Sequence, residues 1–290
     1  MIGVMIKKLL WLNLIFVLLA MVGLYWLGSV LIAPHNQTIT LPNTYLPLQS
    51  LDIQIARSNP LAAWYAVHPQ ATHAALLMHG AGSSRLQMLQ RAQLLYHMGY
   101  NVLMFDFQAH GESQGQYVTY GYLESQDATA AFNYLKQFNP QAKLLVIGVS
   151  LGGASAVMSP VIRQQADALV LESVYSDLPT AIFNRLQVRL GKAASWAYPL
   201  LAWQMPLRLG FKAADLSPLR ELSQVKMPVM IMNGAMDVYT NVQEAQSLYQ
   251  AVQAPKQLVI VPNAGHTDLY AYNSPLYEQQ LKAFLQKALP

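Results

Sequence analysis

Three residues of this 290-residue chain have the types and spacing for acyl transfer: Ser150, Asp237 and His266. Ser150 stands in Gly148-Val149-Ser150-Leu151-Gly152, a G-x-S-x-G pattern. The β-branched run "KLLVIGV" precedes it and a small-residue segment follows, so the serine falls on a strand-to-helix corner. Glycine at 148 and 152 lets that corner close, because a Cβ at either position would crowd the adjoining chain. A phosphate-binding turn is the rival reading, but neither G-K-[ST] nor G-x-G-x-x-G is formed around Ser150. A serine hydroxyl needs a base, and the base needs a partner to orient it. His266 lies in "VPNAGHTD", after the last apolar run, and Asp237 lies in "IMNGAMDVYT", after the one before. The order Ser, Asp, His, each beyond the end of a strand, is the pattern of a nucleophile, an orienting acid and a base. Asp268 reads instead as a helix cap and Asp106 as a brace for the "HGES" loop. Backbone donors for an oxyanion are expected at Ala81 and Leu151, with Gly80 in "LLMHGAGSS" keeping the first loop low. His79 and His110 read as structural, and His35, His68, His73 and His97 show no partner pattern.

These residues need a frame that brings four loops together. Apolar runs alternate with amphipathic segments: strands at 61–67, 74–80, 100–107, 143–149, 168–174, 228–234 and 256–262, helices at 85–97, 122–138, 241–252 and 274–288. Continuous apolar strands alternating with helices predict a mostly parallel sheet covered on both faces. Residues 176–214 break the alternation. They contain "AIFNRLQVRL" and "ASWAYPLLAWQMPLRLGF" and predict a short helical cap. Its aromatics, Trp196, Tyr198 and Trp203, read as ordinary cap packing, with a lipid-binding box as the alternative.

Composition narrows the classes. The chain is 53% hydrophobic and 11% charged, with no cysteine, which excludes disulfides, zinc–thiolate sites and cysteine catalysis. The net charge of +4 is not gathered into a basic stripe, so no nucleic-acid partner is implied. No histidine–carboxylate group has metal-ligand spacing, so neither a metal nor a cofactor is called for.

Residues 9–33 carry no charge and follow Lys7 and Lys8; the next Lys or Arg is Arg57. About 20 apolar residues cross a bilayer core, so residues 1–33 read as an uncleaved transmembrane anchor. The basic residues at its start place the N-terminus in the cytoplasm and the remainder on the extracytoplasmic, periplasmic side. A linker is expected at 34–50 and a catalytic domain at 51–290. Deleting residues 1–33 is then expected to release a soluble, active domain.

His79-Gly80, "DFQAHGES" at 106–113, Ser150 in its corner, Asp237 and His266 together resemble the α/β-hydrolase superfamily over about residues 51–290. Within it the chain is similar to bacterial membrane-anchored serine hydrolases of the esterase-like and serine-aminopeptidase-like branch. The resemblance implies an eight-stranded, mostly parallel sheet with a cap after the sixth strand. Relatives often carry Arg-Gly where this chain has Gln108-Ala109, which bears on substrate charge preference and not on the three reacting residues. The expected activity is hydrolysis of carboxylic esters or thioesters, as in carboxylesterases and lipases, on a small-molecule acyl substrate, with lipid-derived ones among the candidates. A peptidase or amidase with the same three residues is the alternative, and a non-catalytic, membrane-tethered binding protein the second.

Overall fold

The computed structural model describes residues 2–55 and 59–290. Its centre is a sheet of β1 (Leu48–Ile53), β2 (Leu61–Ala66), β3 (His73–Met78), β4 (Tyr100–Phe105), β5 (Lys143–Val149), β6 (Ala168–Glu172), β7 (Val229–Gly234) and β8 (Lys256–Val261). The order across the sheet is β8-β7-β6-β5-β3-β4-β2-β1. Strands β3 to β8 are mutually parallel, while β2 runs antiparallel to both β4 and β1. The seven apolar runs of the sequence are β2 to β8. Strand β1, "LQSLDI", was not anticipated: it is an edge strand, mostly part-exposed, and carries no continuous apolar run.

The helices in chain order are α1 (Ile2–Leu31), α2 (Leu89–His97), α3 (Glu124–Phe138), α4 (Leu151–Met158), α5 (Pro160–Gln165), α6 (Leu178–Leu190), α7 (Ala194–Ala202), α8 (Gln204–Leu209), α9 (Pro218–Leu222), α10 (Val242–Ala251), α11 (Leu269–Tyr272) and α12 (Ser274–Ala288). The period-two alternation of a strand sends its residues to two cores. Ala74, Leu76 and Met78 of β3 join Phe132 of α3, Ala154 of α4 and Leu248 of α10. Ala75 and Leu77 join Leu95 of α2 and Leu281 and Leu285 of α12 on the other face. Burying both faces holds the C-terminal ends of the parallel strands, and the loops leaving them, at one rim of the sheet.

The stretch expected as a cap folds into α6, α7 and α8. Asp177 starts α6 by accepting the Thr180 N–H (2.8 Å), with Pro179 in the first turn, and Gly210 in the left-handed region ends α8. Helix α1 is long and apolar enough to cross a membrane. It is exposed from residue 5 to residue 23, and only its last turns meet the rest of the chain.

Residues 34–50, read from the sequence as a linker, are held against the domain. His35–Asn36 pairs in parallel with His110–Gly111, the Asn36 side chain donates to Ser113 O (2.7 Å), and Ile39 and Leu46 are buried. The polar composition that suggested a free tether is satisfied by these backbone partners, and β1 already begins at Leu48.

Candidate active site

Strand β5 ends at Val149 and α4 begins at Leu151, so the whole reversal falls on Ser150, with φ 49° and ψ −108°. A non-glycine residue in that region is held against its preference by the surrounding chain. Here the Ser150 N–H donates to Glu172 O (2.7 Å) and Ser150 O accepts from Ala154 N (3.0 Å). A Cβ on Gly148 would lie 2.4 Å from Gly153 N, and one on Gly152 would lie 2.4 Å from Met78 O. Both neighbours are backbone, so both glycines are sterically required. Gly80 is not: a Cβ there meets nothing closer than 3.6 Å, and the left-handed residue of that loop is Gly82, with φ 72°.

Asp237 and His266 come from the loops after β7 and β8. Gly234 lets those loops touch, since a Cβ on it would be 2.4 Å from Ala264 O, and Met236 N donates to Ala264 O (2.8 Å). His266 Nδ1 lies 2.7 Å from Asp237 Oδ2. The other carboxylate oxygen, Oδ1, accepts from the Tyr239 and Thr240 N–H groups (both 2.9 Å), and the Thr240 hydroxyl donates to Oδ2 (2.8 Å). Burial works against the Asp237 anion, but His266 and Thr240 outweigh it and hold the carboxyl below its ordinary range. An ionised acceptor facing Nδ1 puts the proton on Nδ1 and leaves Nε2 as the basic nitrogen. His266 and Ser150 line the same cavity.

Ala81 and the Leu151 N–H at the start of α4 line that cavity too, and neither amide donates to an acceptor among the described residues. His79 explains the orientation of the first. The Phe107 N–H donates to His79 Nε2 (3.1 Å), so the ring proton sits on Nδ1 and donates to Gly80 O (2.8 Å). A trans peptide sets N–H opposite C=O, so anchoring the Gly80 carbonyl turns the Ala81 N–H the other way. Burial pushes the His79 imidazole down to about 3, with His110 and Arg85 adding to the effect and the Gly80 bond opposing it. It is therefore a neutral brace. Gln87 completes the loop by accepting the Gly80 N–H (2.8 Å).

Sequence reasoning missed Arg91. Fully buried on α2, it donates to both oxygens of Glu172 (2.9 and 2.6 Å) and to both of Asp268 (3.1 and 2.9 Å). Glu172 ends β6 and its carbonyl holds the Ser150 N–H; Asp268 follows His266 by two residues. One guanidinium thus joins the serine corner to the histidine loop. Asp268 also caps α11, as expected, through the Tyr270 and Ala271 N–H groups. Asp106 braces its loop as expected: it accepts the Arg85 N–H (2.7 Å) and the Glu112 N–H (2.9 Å) and pairs with the Arg85 guanidinium.

The cavity over Ser150 has a volume of about 610 Å³. Its floor is the serine corner and the His79–Gly82 loop, and its roof is α6, α7 and α8. One wall is the end of α1, at Gly28, Val30, Leu31 and Ile32. Arg185, Arg189 and Arg208 line it, while its only carboxylate among the described residues is Asp268, already engaged by Arg91.

The parallel sheet and the strained serine between β5 and α4 define an α/β hydrolase. A family model described as "Serine aminopeptidase, S33" matches residues 69–215, just over half of the 290, and the chain belongs to that family. A second, described as "PhoPQ-activated pathogenicity-related protein", matches residues 213–288. Among curated relatives, YqkD of Bacillus subtilis (strain 168) is 27% identical over 226 residues, covering 76% of this chain and 74% of that one. A Danio rerio protein named lysophosphatidylserine lipase ABHD12 is 24% identical over 249 residues, covering 79% of this chain and 62% of its own length. The solved structure of the Pyrococcus furiosus esterase Pf2001 superposes with a TM-score of 0.73 at 21% identity, over 90% of this chain and 99% of that one. At that identity the likeness establishes the fold.

Proposed function

We propose that this hydrolase cleaves carboxylic esters or thioesters through Ser150, His266 and Asp237, and that α1 anchors it in a membrane with the domain on the extracytoplasmic side. The observation that carries the chemistry is the Asp237–His266 pair at 2.7 Å, whose imidazole lines the same cavity as Ser150. In this reading Ser150 Oγ attacks the acyl carbonyl carbon while His266 Nε2 takes its proton. The Ala81 and Leu151 N–H groups hold the resulting oxyanion. Collapse breaks the bond to the leaving oxygen or sulfur, which receives the proton from His266. Water then attacks the acyl-enzyme, His266 takes its proton, and the Oγ–acyl bond breaks to return Ser150 and release the acid. Asp237 keeps the imidazole oriented and stabilises its cation.

The family's description favours a second reading, a peptidase acting on a free amino terminus. Fold and family membership do not fix the substrate. Capture of an ammonium needs an uncommitted carboxylate, and the cavity offers three guanidinium groups against one engaged aspartate. An apolar cavity should reward acyl length, at about 0.8 kcal/mol for each buried methylene. The test combines fluorophosphonate labelling with a panel of nitrophenyl esters and aminoacyl nitroanilides. Wild type should label, and kcat/KM should rise from acetyl to about octanoyl. Ser150→Ala should lose labelling and several orders of magnitude in turnover. Labelling that survives Ser150→Ala would remove the serine from this role, and an aminoacyl nitroanilide that outruns every ester would select the peptidase.

A further inference from the structure

Resting on the acyl-hydrolase reading above, we propose that the end of α1 and the outer face of α7–α8 form one membrane-seated entrance, through which a single-chain lipid ester with an anionic headgroup reaches Ser150.

The first observation is where α1 leaves the bilayer. At 1.5 Å per residue, the stretch from Leu9 to Gly28 is about 30 Å long, one hydrocarbon thickness. Tyr25 and Trp26, both exposed, fall at its far end, where interfacial aromatics belong. The cap docks at that same level. The Arg208 guanidinium donates to Tyr25 O (3.1 Å) and Ser29 Oγ (2.8 Å) and lies 4.4 Å over the Tyr25 ring, and the Gln204 amide donates to Leu24 O (3.2 Å). The carbonyl of the last α1 residue and that of the residue after it are taken by the domain: Tyr120 donates to Leu31 O, and Val118 N to Ile32 O (3.0 Å). The helix end is therefore a built wall of the cavity. Deletion of residues 1–33 would remove that wall, contrary to the expectation that it leaves the active domain intact.

The second observation is the cap's outer surface. Trp196 and Leu200 on α7, Trp203 at the turn between the helices and Leu207 on α8 recur at intervals of four, three and four, the spacing of one face of a helix. They are 80%, 55%, 69% and 73% exposed. The expected packing of Trp196 and Trp203 inside the cap is not found. Four large exposed apolar residues, with Trp203 and Leu207 immediately preceding the Gln204 and Arg208 that hold the end of α1, suit a segment lying in the membrane surface.

The third observation is charge. Arg185, Arg189 and Arg208 line the cavity, and none has a carboxylate within ion-pair distance among the described residues. Arg185 is turned onto its own helix, at Ala181 O (3.1 Å), and onto the Tyr239 ring (5.6 Å). Guanidinium groups beside an apolar cavity fit a phosphate or carboxylate at the end of an acyl chain. A single chain suits a cavity of about 610 Å³.

The test uses the full-length protein in vesicles of neutral phospholipid. Turnover is measured on 1-palmitoyl lysophosphatidylglycerol, on 1-palmitoyl lysophosphatidylcholine and on soluble nitrophenyl octanoate, with glycerol 3-phosphate as a competitor lacking the acyl chain. We expect kcat/KM about tenfold higher for the anionic than for the zwitterionic lysolipid, the equivalent of about 1.4 kcal/mol. Arg185→Gln/Arg189→Gln should bring that ratio close to one. Trp196→Ser/Trp203→Ser should lower turnover of vesicle-borne lysolipid relative to the soluble ester by about tenfold, the effect of losing a membrane seat. Glycerol 3-phosphate at millimolar concentration should not compete; if it does, the site recognises a free phosphate and not a lipid. Equal turnover of the two lysolipids, or variants that lower all three substrates alike, overturns the entrance while leaving the acyl-hydrolase reading standing. Absence of turnover on all three together with absence of fluorophosphonate labelling overturns both.

Discussion

At the scale of single residues, the site depends on which atom each partner is obliged to hold. Asp237 Oδ1 is fixed by two N–H groups, from Tyr239 and Thr240, and Oδ2 faces His266 Nδ1. Asparagine at 237 must keep its oxygen on those two donors, so its NH2 faces Nδ1. The ring then carries its proton on Nε2 and cannot accept one from a serine hydroxyl. Asp237→Asn is therefore expected to lower kcat by about 10³- to 10⁴-fold. Its melting temperature should stay near wild type, because shape and the two backbone bonds survive. Kinetics and thermal melts on the same preparation check both halves, and a variant retaining more than a tenth of wild-type kcat would show that Asp237 does not orient the base. Gly152 and Gly148 were legible in the sequence for the reason the geometry gives, a Cβ forced into backbone. Gly80 is singled out on a different ground, as the residue that keeps the first loop low, but a Cβ there would make only ordinary contacts, at 3.6 Å and beyond. His79 was legible only as a structural histidine. Its role depends on Phe107, 28 residues away, and no local pattern encodes that bond.

At the scale of elements, seven of the eight strands could be read as continuous apolar runs because their burial on both faces leaves no polar alternation. The exposed edge strand β1 leaves no such trace, and polarity in residues 34–50 resembled a tether because backbone pairing is invisible in composition. What joins the elements at the site is also long-range. Arg91 reaches Glu172 over 81 positions and Asp268 over 177. Removing one member of a buried ion network leaves the other charges uncompensated, at a typical cost of 3–5 kcal/mol, whereas replacing the members together is far milder. Arg91→Met should destabilise by that amount and loosen the His266 loop, while Arg91→Met/Glu172→Gln should recover much of the stability. The double variant would still lack the guanidinium on Asp268, so its kcat should remain below wild type. Urea denaturation beside steady-state rates separates the two effects. A double variant no more stable than Arg91→Met would show that the network is not a compensated charge cluster.

At the scale of the whole molecule, buried titratable groups on both sides of neutrality set a stability optimum. Burial pushes His79 down to about 3 and His110 down to about 4, from an ordinary value of 6.5. The folded chain keeps both neutral while the unfolded chain takes up protons, so each lowers stability as pH falls from 6.5. The slope approaches 1.36 kcal/mol per pH unit for each group. Asp127 works in the other direction. Burial pushes it up to about 8 from an ordinary 3.8, partly offset by the Gln108 N–H it accepts. The folded chain therefore holds a proton that the unfolded chain has released, and stability falls as pH rises from about 4 to about 8. Glu124, buried beside it and raised for the same first reason, adds to this slope near its own range. Between pH 4 and 6.5 two histidines oppose Asp127, and the net effect is a gain with rising pH. Between 6.5 and 8 Asp127 acts without them, and the effect is a loss. Stability should accordingly peak near pH 6 to 6.5. Asp127→Asn keeps an oxygen for the Gln108 N–H and removes the titration, so its stability should stay level from pH 6.5 to 8 and fall more steeply than wild type below 6.5. Denaturation midpoints across pH 4.5 to 8.5 on both proteins measure this directly, and a wild-type curve that climbs steadily from 6.5 to 8 would exclude a protonated Asp127 in the native fold.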